Sequence, residues 1–412
     1  MINQPHVAVL FYRIGPYHFA RLKAAAGRVR VTAVEFSNVD PAYAWDLVEG
    51  QDGFERLMLF TGVPLASQSV SQIFEVVDKA LDVLHPAAVA VPGWYERCSL
   101  AALKWCGRHA VPAIIMSETT AWDDERMTWR ELVKNRVVRL CSAALVGGKG
   151  HADYLARLGM ERDRIFPGYD AVDNAYFADK AEESRKQKAE NRKQFGLPDR
   201  YFLASARFVE KKNFPRLIQA YALYRKKSGV RSQKSDLRPL TSDLWSLVLL
   251  GDGPMKPDLC HLISDLGLQH CVLLPGFKQY NELPVYYTMA GAFVHASTTE
   301  QWGLVVNEAM ASGLPVMVSN RCGCATALVQ EGINGFTFDP YNVEQLAELM
   351  LRISAFNFPL STFGAESQRI IAAWGPERFA NGLQQAVGCA LRVGPIKPTL
   401  VQRAILDGLL RR

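Results

Sequence analysis

The sequence predicts an α/β protein of two lobes, each built around a mostly parallel β-sheet. The chain has 412 residues, which is too long for one compact core and suits two domains of about 200 residues each. Short apolar runs alternate with longer amphipathic stretches, the pattern typical of strand–helix–strand units. The alternation occurs in each half of the chain, so we expect two such lobes in succession.

The apolar runs give the expected strand positions. In the first half of the chain the predicted strands are 7–12, 29–36, 87–91, 113–116 and 143–146. In the second half they are 201–205, 247–250, 271–274, 292–295 and 316–319. Amphipathic stretches such as 71–84 and 100–109 predict the helices that connect them. Both lobes are therefore expected to be Rossmann-like.

The boundary between the lobes is predicted in a polar, highly charged stretch at 181–193, which follows an apparent strand–loop segment at 165–173. A second polar stretch, 228–243, carries Gly, Ser, Pro and Arg without an apolar period and predicts a mobile surface loop. The expected domains are an N-terminal lobe, a second lobe and a C-terminal helical segment that crosses back to the first, with bounds 1–177, 178–375 and 376–412.

The composition excludes several classes of protein. With 49% hydrophobic and 21% charged residues, the chain is neither disordered nor fibrous. No run approaches the roughly 18 to 20 apolar residues of a membrane-spanning helix. The N-terminus has neither the basic region nor the cleavage site of a signal peptide. We therefore expect a cytoplasmic protein, either free or at the inner face of the membrane.

The net charge and the cysteines limit the expected partners. A charge of +6 suits phosphate-bearing small molecules, an anionic membrane or nucleic acid. The sequence has no basic platform interleaved with aromatic residues, so nucleic acid is not an expected partner. The eight cysteines have no zinc or redox spacing and are expected to be free thiols. We expect no metal site, and the acidic run 123–125 is interpreted as a solvated loop.

The strongest candidate site contains two carboxylates, Glu300 and Glu308, eight positions apart around a loop that opens a helix. If that helix begins near Gly303, its free N–H groups lie at the carboxyl edge of the sheet, where a diphosphate is favoured. Both carboxylates can then accept hydrogen bonds from sugar hydroxyls. The alternative interpretation is that Glu300 is a solvated acid in a loop and that Glu308 is an ordinary helical glutamate.

Three further loops follow predicted strands of the same lobe. The segment 206–213 carries Arg207 and Lys212, whose charges can neutralise a diphosphate and stabilise a leaving group, although such cations are also common as solvated charge. A glycine turn and an exposed-backbone turn follow two neighbouring strands and contribute Gly251, Gly253, Gly276 and Phe277.

Taken in order, these motifs resemble family 4 retaining glycosyltransferases. The resemblance rests on the runs 207–212, 250–254, 276–277, 300–316 and 332–336, and covers most of residues 200–345. It implies the two-lobed GT-B fold, with a cleft for a nucleotide-sugar donor between the lobes and the acceptor bound by the N-terminal lobe. It also implies retention of the anomeric configuration, with no divalent metal and no cofactor.

The resemblance implies a role for each matching residue. Arg207 and Lys212 would bind the donor diphosphate, Glu308 the ribose, and Glu300 the hydroxyls of the transferred sugar. The backbone amides of three residues would complete the phosphate site, namely Gly303, Leu304 and Val305. In this family the donor's phosphate oxygen is thought to take the acceptor's proton, so neither glutamate need be a nucleophile.

The N-terminal lobe matches the family in its order of elements. Gly15 lies in the loop after the first strand and is the candidate contact to the donor phosphates, while His18 either reaches the reaction centre or caps a helix. Many family members have a histidine near the transferred sugar where this chain has Ser117 and Glu118, and we expect these two residues to replace it. Because of this departure, the sequence does not identify the sugar that is transferred.

Two segments combine basic and apolar residues. The stretch 122–140 has five Lys or Arg residues beside two tryptophans, and the stretch 400–412 ends in Leu-Leu-Arg-Arg. Either could lie on an anionic membrane and present a lipid-linked acceptor, or could be a solvated helix with its apolar face in the core.

The function expected from the sequence is therefore transfer of a sugar from a UDP-, GDP-, ADP- or TDP-sugar to a glycan, a glycolipid or another hydroxyl acceptor. Bacterial surface polysaccharide or glycoconjugate synthesis is the expected setting. The alternatives are a sugar-nucleotide epimerase on the same fold and a non-catalytic nucleotide-sugar-binding protein, since binding and catalysis would use the same residues.

Overall fold

The structure is a computed structural model that describes residues 4–39, 45–50, 53–233 and 244–411. It divides into two compact units. Unit 1 contains Met1–Asp173 and Trp374–Arg412, and unit 2 contains Asn174–Ala373. The C-terminal segment thus packs with the N-terminal unit, although the chain passes through the whole of unit 2 before reaching it.

The elements are numbered in chain order. The strands are β1 His6–Phe11, β2 Arg30–Ser37, β3 Glu55–Phe60, β4 Ala88–Pro92, β5 Ala113–Ser117, β6 Ala143–Val146, β7 Ile165–Pro167, β8 Tyr201–Ser205, β9 Ser246–Leu250, β10 Val272–Gly276, β11 Ala292–His295, β12 Val316–Ser319 and β13 Gly335–Phe338. The helices are α1 Pro16–Ala26, α2 Val70–Leu84, α3 Arg97–His109, α4 Thr128–Val138, α5 Lys149–Arg157, α6 Asn174–Lys186, α7 Lys188–Phe195, α8 Phe214–Gln233, α9 Lys256–Asp265, α10 Leu283–Met289, α11 Leu304–Ala311, α12 Ala325–Leu328, α13 Val343–Ile353, α14 Leu360–Ile371, α15 Pro376–Val393 and α16 Leu400–Leu410.

Unit 1 is built on a seven-stranded sheet with the order β3-β2-β1-β4-β5-β6-β7, and all neighbouring strands are parallel. Alternate residues of β1 point to opposite faces of the sheet, and both faces are covered. Ala8 and Leu10 pack in the cluster that contains α2 and α3, whereas Val7 and Val9 pack in the cluster that contains α15. A strand buried on both faces reads as a continuous apolar run, which is why the sequence predicts it clearly.

Unit 2 has a six-stranded parallel sheet with the order β10-β9-β8-β11-β12-β13. The strand order therefore reverses between β8 and β11, which are neighbours in space but far apart in sequence. Ligands of open parallel sheets bind outside the carboxyl ends of the strands at such a switch point. The loops that follow β8 and β11 are consequently the first place to look for a site in this unit.

The predicted fold class, two Rossmann-like α/β lobes, is confirmed. Two strands were not predicted, β3 and β13, and each lies at the edge of its sheet. An edge strand has one neighbour, and in β3 it buries less of its surface, so the apolar run of β3 is weaker, whereas β13 is buried but only four residues long. In β3, for example, a single residue, Phe60, is fully buried.

Two sequence-based boundaries differ from the structure. The change of lobe was predicted in the charged stretch 181–193, but this stretch lies inside unit 2, where it forms the end of α6 and most of α7, and the units divide after Asp173. The predicted loop 228–243 begins within α8, which continues to Gln233, and its remainder, 234–243, lies outside the described residues. No helix in the described part of the chain is both long and apolar enough to cross a membrane.

Candidate functional site

Two loops meet at the switch point of unit 2, one after β8 and one after β11. The backbone N–H of Thr298 donates to the carbonyl of Lys211 at 2.9 Å. The side chain of Asn213 donates to the carbonyls of Ala296, at 3.0 Å, and Pro340, at 2.8 Å. Asn213 is buried and has a φ of +59°, a left-handed conformation that asparagine tolerates better than most residues. These bonds hold the two loops against each other.

The contact between the loops brings Lys212 and Glu300 together. The Lys212 ammonium forms an ion pair with Glu300 Oε2, and both side chains are 14% exposed. His295, the last residue of β11, places Nε2 at 3.3 Å from the same oxygen. Ser297 Oγ donates to it at 3.4 Å. One carboxylate oxygen is therefore surrounded by a cation, an imidazole and a hydroxyl group.

These neighbours determine the charge on Glu300. Burial by itself would raise the pKa of Glu300, but the hydrogen bond from His295 and the charge of Lys212 outweigh it and hold the pKa well below its usual range. Burial lowers the pKa of His295, and the nearby Glu300 offsets part of that effect. At neutral pH the site thus holds an ionised carboxylate, a lysine cation and a neutral imidazole whose Nε2–H donates.

The helix α11 begins beside this cluster. Gly303 precedes it with a φ of +103°, a left-handed conformation that favours glycine, and a Cβ there would lie 3.4 Å from His295 Nε2. The first N–H groups of an α-helix have no partner within the helix and carry partial positive charge. An anion at the start of α11 would meet these groups and the Lys212 ammonium at the same edge of the sheet.

Glu308 lies in the body of α11 and differs from Glu300 in its surroundings. Its side chain is fully buried, and Tyr287 of α10 donates its hydroxyl to Glu308 Oε2 at 2.6 Å. Burial, together with the negative charge of Glu308, raises the pKa of Tyr287, so the phenol keeps its proton. The Glu300 side chain is thus partly exposed to solvent, whereas the Glu308 side chain is fully buried in unit 2.

Replacing Tyr287 by phenylalanine tests how much this hydrogen bond contributes. Because Glu308 would keep its buried carboxylate and lose the phenol donor, we expect the free energy of unfolding to fall by about 1.5 to 3 kcal/mol. Urea denaturation followed by circular dichroism measures it. A matched control is Tyr341→Phe, since Tyr341 is 51% exposed. Equal stabilities for the two variants would contradict a structural role for the Tyr287–Glu308 bond.

Gly251 and Gly253, predicted to contact a donor, pack against the loop after β8. A Cβ on Gly251 would lie 1.9 Å from the carbonyl oxygen of Ala206, and one on Gly253 would lie 2.7 Å from that of Phe208. Both have positive φ, +136° and +152°. Because glycine has no side chain, the loop that carries Arg207 can pack closely against the loop after β9. Packing therefore explains both glycines, and the sequence alone does not reveal this reason.

The other predicted residues of unit 2 lie at the same edge of the sheet. Arg207 has an exposed side chain in the loop after β8. Gly276 ends β10 with a φ of +85°, and its carbonyl accepts from the N–H of Gly251 at 3.1 Å. Phe277, which follows it, is 37% exposed.

One segment of the chain matches a known protein family. Residues 186–357, which include Arg207, Lys212, Glu300 and Glu308, match the family described as glycosyl transferases group 1. The matched segment covers most of unit 2, so the candidate site lies in the part of the chain that carries the family relationship.

Two curated proteins are similar to parts of this chain. An alpha-D-kanosaminyltransferase of Streptomyces kanamyceticus is 26% identical over 272 residues, 65% of this chain and 57% of that protein. An alpha-monoglucosyldiacylglycerol synthase of Acholeplasma laidlawii is 31% identical over 137 residues, 33% of this chain and 34% of that protein. The matches therefore span less than two thirds of the length of either relative.

A solved structure agrees with the fold over almost the whole chain. The Anabaena protein HepE, in complex with UDP and glucose, superimposes with a TM-score of 0.69 at 18% identity, covering 92% of this chain and 98% of HepE. At this identity the likeness shows the fold, and it confirms the predicted two-lobed GT-B architecture.

The four N-terminal candidates, Gly15, His18, Ser117 and Glu118, lie in unit 1. His18 Nδ1 accepts from the N–H of Gly15 at 3.2 Å, which caps the start of α1. Burial, with a smaller contribution from Arg21, lowers the pKa of His18 to about 3, so the ring is neutral and carries its proton on Nε2. Glu118 is half-buried directly after β5, where Ser117 Oγ accepts from the N–H of Thr119 at 3.2 Å. The structure thus gives His18 a capping role.

Sequence reasoning missed four residues of the unit 2 site: Asn213, Tyr287, His295 and Ser297. One signal was available, because a histidine that ends a fully apolar strand is unusual and directly precedes the Glu300 loop. The sequence contains no comparable signal for Tyr287, which reaches Glu308 from another helix.

The acidic run differs in part from expectation, whereas the cysteines are free thiols as expected. Asp123 is not solvated, since its carboxylate pairs with Arg126 and accepts from the N–H of Thr120 at 3.0 Å. Cys322 and Cys324 are buried free thiols in the loop beside Glu300. Among the described residues, no group of three or more His, Cys, Asp or Glu side chains could hold a metal ion.

Proposed function

We propose that this chain transfers a glycosyl group from a nucleoside diphosphate sugar to a hydroxyl acceptor, with retention of the anomeric configuration. The observation that carries the proposal is the Lys212–Glu300 pair at the switch point of unit 2, beside the start of α11. A cation, free helix N–H groups and an ionised carboxylate together suit a ligand that has both a diphosphate and sugar hydroxyls.

The diphosphate would lie across the start of α11. Arg207 and Lys212 supply two positive charges, and the backbone amides of Gly303, Leu304 and Val305 supply hydrogen-bond donors. Negative charge grows on the diphosphate as the bond to the sugar breaks. Groups that are held in place before the reaction stabilise that charge without reorganising. Glu300 and Asn213 hold Lys212 and its loop in place.

The two carboxylates would bind different parts of the donor. Glu300, with its low pKa, stays ionised and accepts hydrogen bonds from the hydroxyls of the transferred sugar. Glu308, whose carboxylate accepts a hydrogen bond from Tyr287, binds the ribose. Neither acts as a nucleophile, since the donor's phosphate oxygen takes the acceptor's proton on the face that the leaving group vacates.

The proposal also covers the nucleotide base of the donor and the chemical class of the acceptor. HepE was solved with UDP and glucose, which makes a UDP-sugar the first donor to test. The relatives include a glycolipid synthase, so the acceptor we propose is the hydroxyl of a glycan or of a lipid-linked sugar, bound by unit 1. Glu118, at the carboxyl edge of the unit 1 sheet, would contact that acceptor or the sugar.

Calorimetric titration with UDP-, GDP-, ADP- and TDP-sugars tests the donor site. We expect selective binding of one nucleotide by the wild type, and loss of most of that affinity in the double variant Arg207→Ala with Lys212→Ala. The matched control is Lys211→Ala, whose side chain is exposed on the same turn. Binding that survives in the double variant, or no binding across the panel, would contradict the proposed site. Turnover with an acceptor then separates an enzyme from a binding protein.

A further inference from the structure

One face of α4 is exposed along its whole length. Trp129, Leu132, Arg136 and Arg139 all have exposed side chains, and their spacing of three, four and three residues places them on one side of the helix. Trp129 is 45% exposed and Leu132 is 61% exposed. The opposite side of the helix carries buried Val137 and packs in the core of unit 1.

The C-terminal helix α16 lies beside the end of α4. The side chain of Gln402 donates to the backbone carbonyl of Arg136 at 3.0 Å, and Leu406 and Leu410 are buried in the core of unit 1. The first turn of α16 remains outside, with Leu400 81% and Val401 60% exposed. Two segments more than 250 residues apart thus form one surface. The α4–α16 surface consists of Trp129, Leu132, Arg136, Arg139, Leu400, Val401 and Arg403.

The charges on the α4–α16 surface have one sign. Each of the two helices has one acidic residue, and both acids are paired. Glu131 bonds to Lys134 at 2.9 Å and accepts from the buried Tyr154 at 2.8 Å. Asp407 pairs with Lys104 at 2.6 Å. Arginines are exposed at 130, 136 and 403, with Arg139 just after α4, while the 45% exposed side chain of Asp407 is neutralised by its pair with Lys104.

We propose that the α4–α16 surface docks on an anionic lipid bilayer. Exposed Trp and Leu side chains enter the boundary between headgroups and acyl chains, and the surrounding arginines bind acidic headgroups. The Arg130 guanidinium lies 5.4 Å from the Trp129 ring centre, a pairing that suits the membrane interface because one group is apolar and the other charged. The cationic character favours a lipid surface over a neutral protein partner. This contact is independent of sugar transfer.

Flotation of the full chain with vesicles tests the proposal. The probes are vesicles of phosphatidylcholine alone and of phosphatidylcholine with phosphatidylglycerol. We expect the wild type to float with the anionic vesicles and not with the neutral ones. Leu132→Gln with Leu400→Gln should lower the bound fraction about tenfold or more. Arg136→Gln with Arg403→Gln should lower the vesicle partition coefficient about thirtyfold.

The control replaces two equally exposed apolar residues elsewhere. Val83 on α2 is 75% exposed and Phe356 in unit 2 is 98% exposed, so Val83→Gln with Phe356→Gln should float like the wild type. Thermal unfolding checks that every variant is folded. Equal flotation of wild type and surface variants would overturn the proposal. So would wild-type self-association that the surface variants abolish, without vesicle binding, because the surface would then be an interface between copies of the chain.

Discussion

The variant Lys212→Ala is expected to lower kcat for glycosyl transfer by about 100- to 1,000-fold, the loss measured when one preorganised electrostatic group is removed from an enzyme site. Lys212 lies next to Glu300 at the edge of the sheet where the diphosphate is proposed to bind. Without it, the leaving diphosphate loses a positive charge and the Glu300 carboxylate loses its ion pair. Initial rates with saturating donor and acceptor measure the effect.

Two controls make this result specific. Lys211→Ala removes a neighbouring lysine whose side chain is exposed, and we expect its rate to stay within about threefold of the wild type. Lys212→Arg keeps the charge but changes its geometry and should recover part of the activity. If Lys212→Ala retained wild-type kcat, Lys212 would serve the stability of the loop and not the reaction.

The variant Gly251→Ala is expected to destabilise unit 2 by about 2 to 6 kcal/mol, the sum of backbone strain and overpacking. Gly251 has a φ of +136°, and an added Cβ would lie 1.9 Å from the carbonyl oxygen of Ala206. Because that neighbour is backbone, it can move only if the loop carrying Arg207 moves as well. Urea denaturation measures the loss of stability. Calorimetric titration with the donor measures how far displacement of the Arg207 loop weakens donor binding.

The matched control is Gly196→Ala. Gly196 follows α7 with a φ of +61°, and nothing lies within 4 Å of an added Cβ. Replacing Gly196 by alanine should therefore lower the free energy of unfolding only by the strain of the left-handed conformation, about 1 to 2 kcal/mol. If Gly251→Ala were as stable as Gly196→Ala but failed to bind donor, Gly251 would act by contacting the ligand, as the sequence predicts, and not by packing.

The strands were predictable because a parallel sheet covered on both faces needs continuous apolar runs. The predicted bounds of β8, β11 and β12 agree with the structure residue for residue. The edge strand β3 was not predictable in this way, since a less buried strand has a weaker apolar pattern. The loops carrying Arg207, Lys212 and Glu300 could be placed because they directly follow strands that the sequence identifies.

The sequence by itself thus determined the two α/β lobes, the family resemblance and the residue types of the candidate site, all of which depend on local patterns. Only the tertiary structure decided which side chains meet. Lys212 contacts Glu300 across 88 positions, Tyr287 reaches Glu308 from a different helix, and α16 lies against α4. Such contacts depend on strand order and on how helices pack over the sheet. No local sequence pattern encodes either of these, because residues far apart in sequence become neighbours only when the chain is folded.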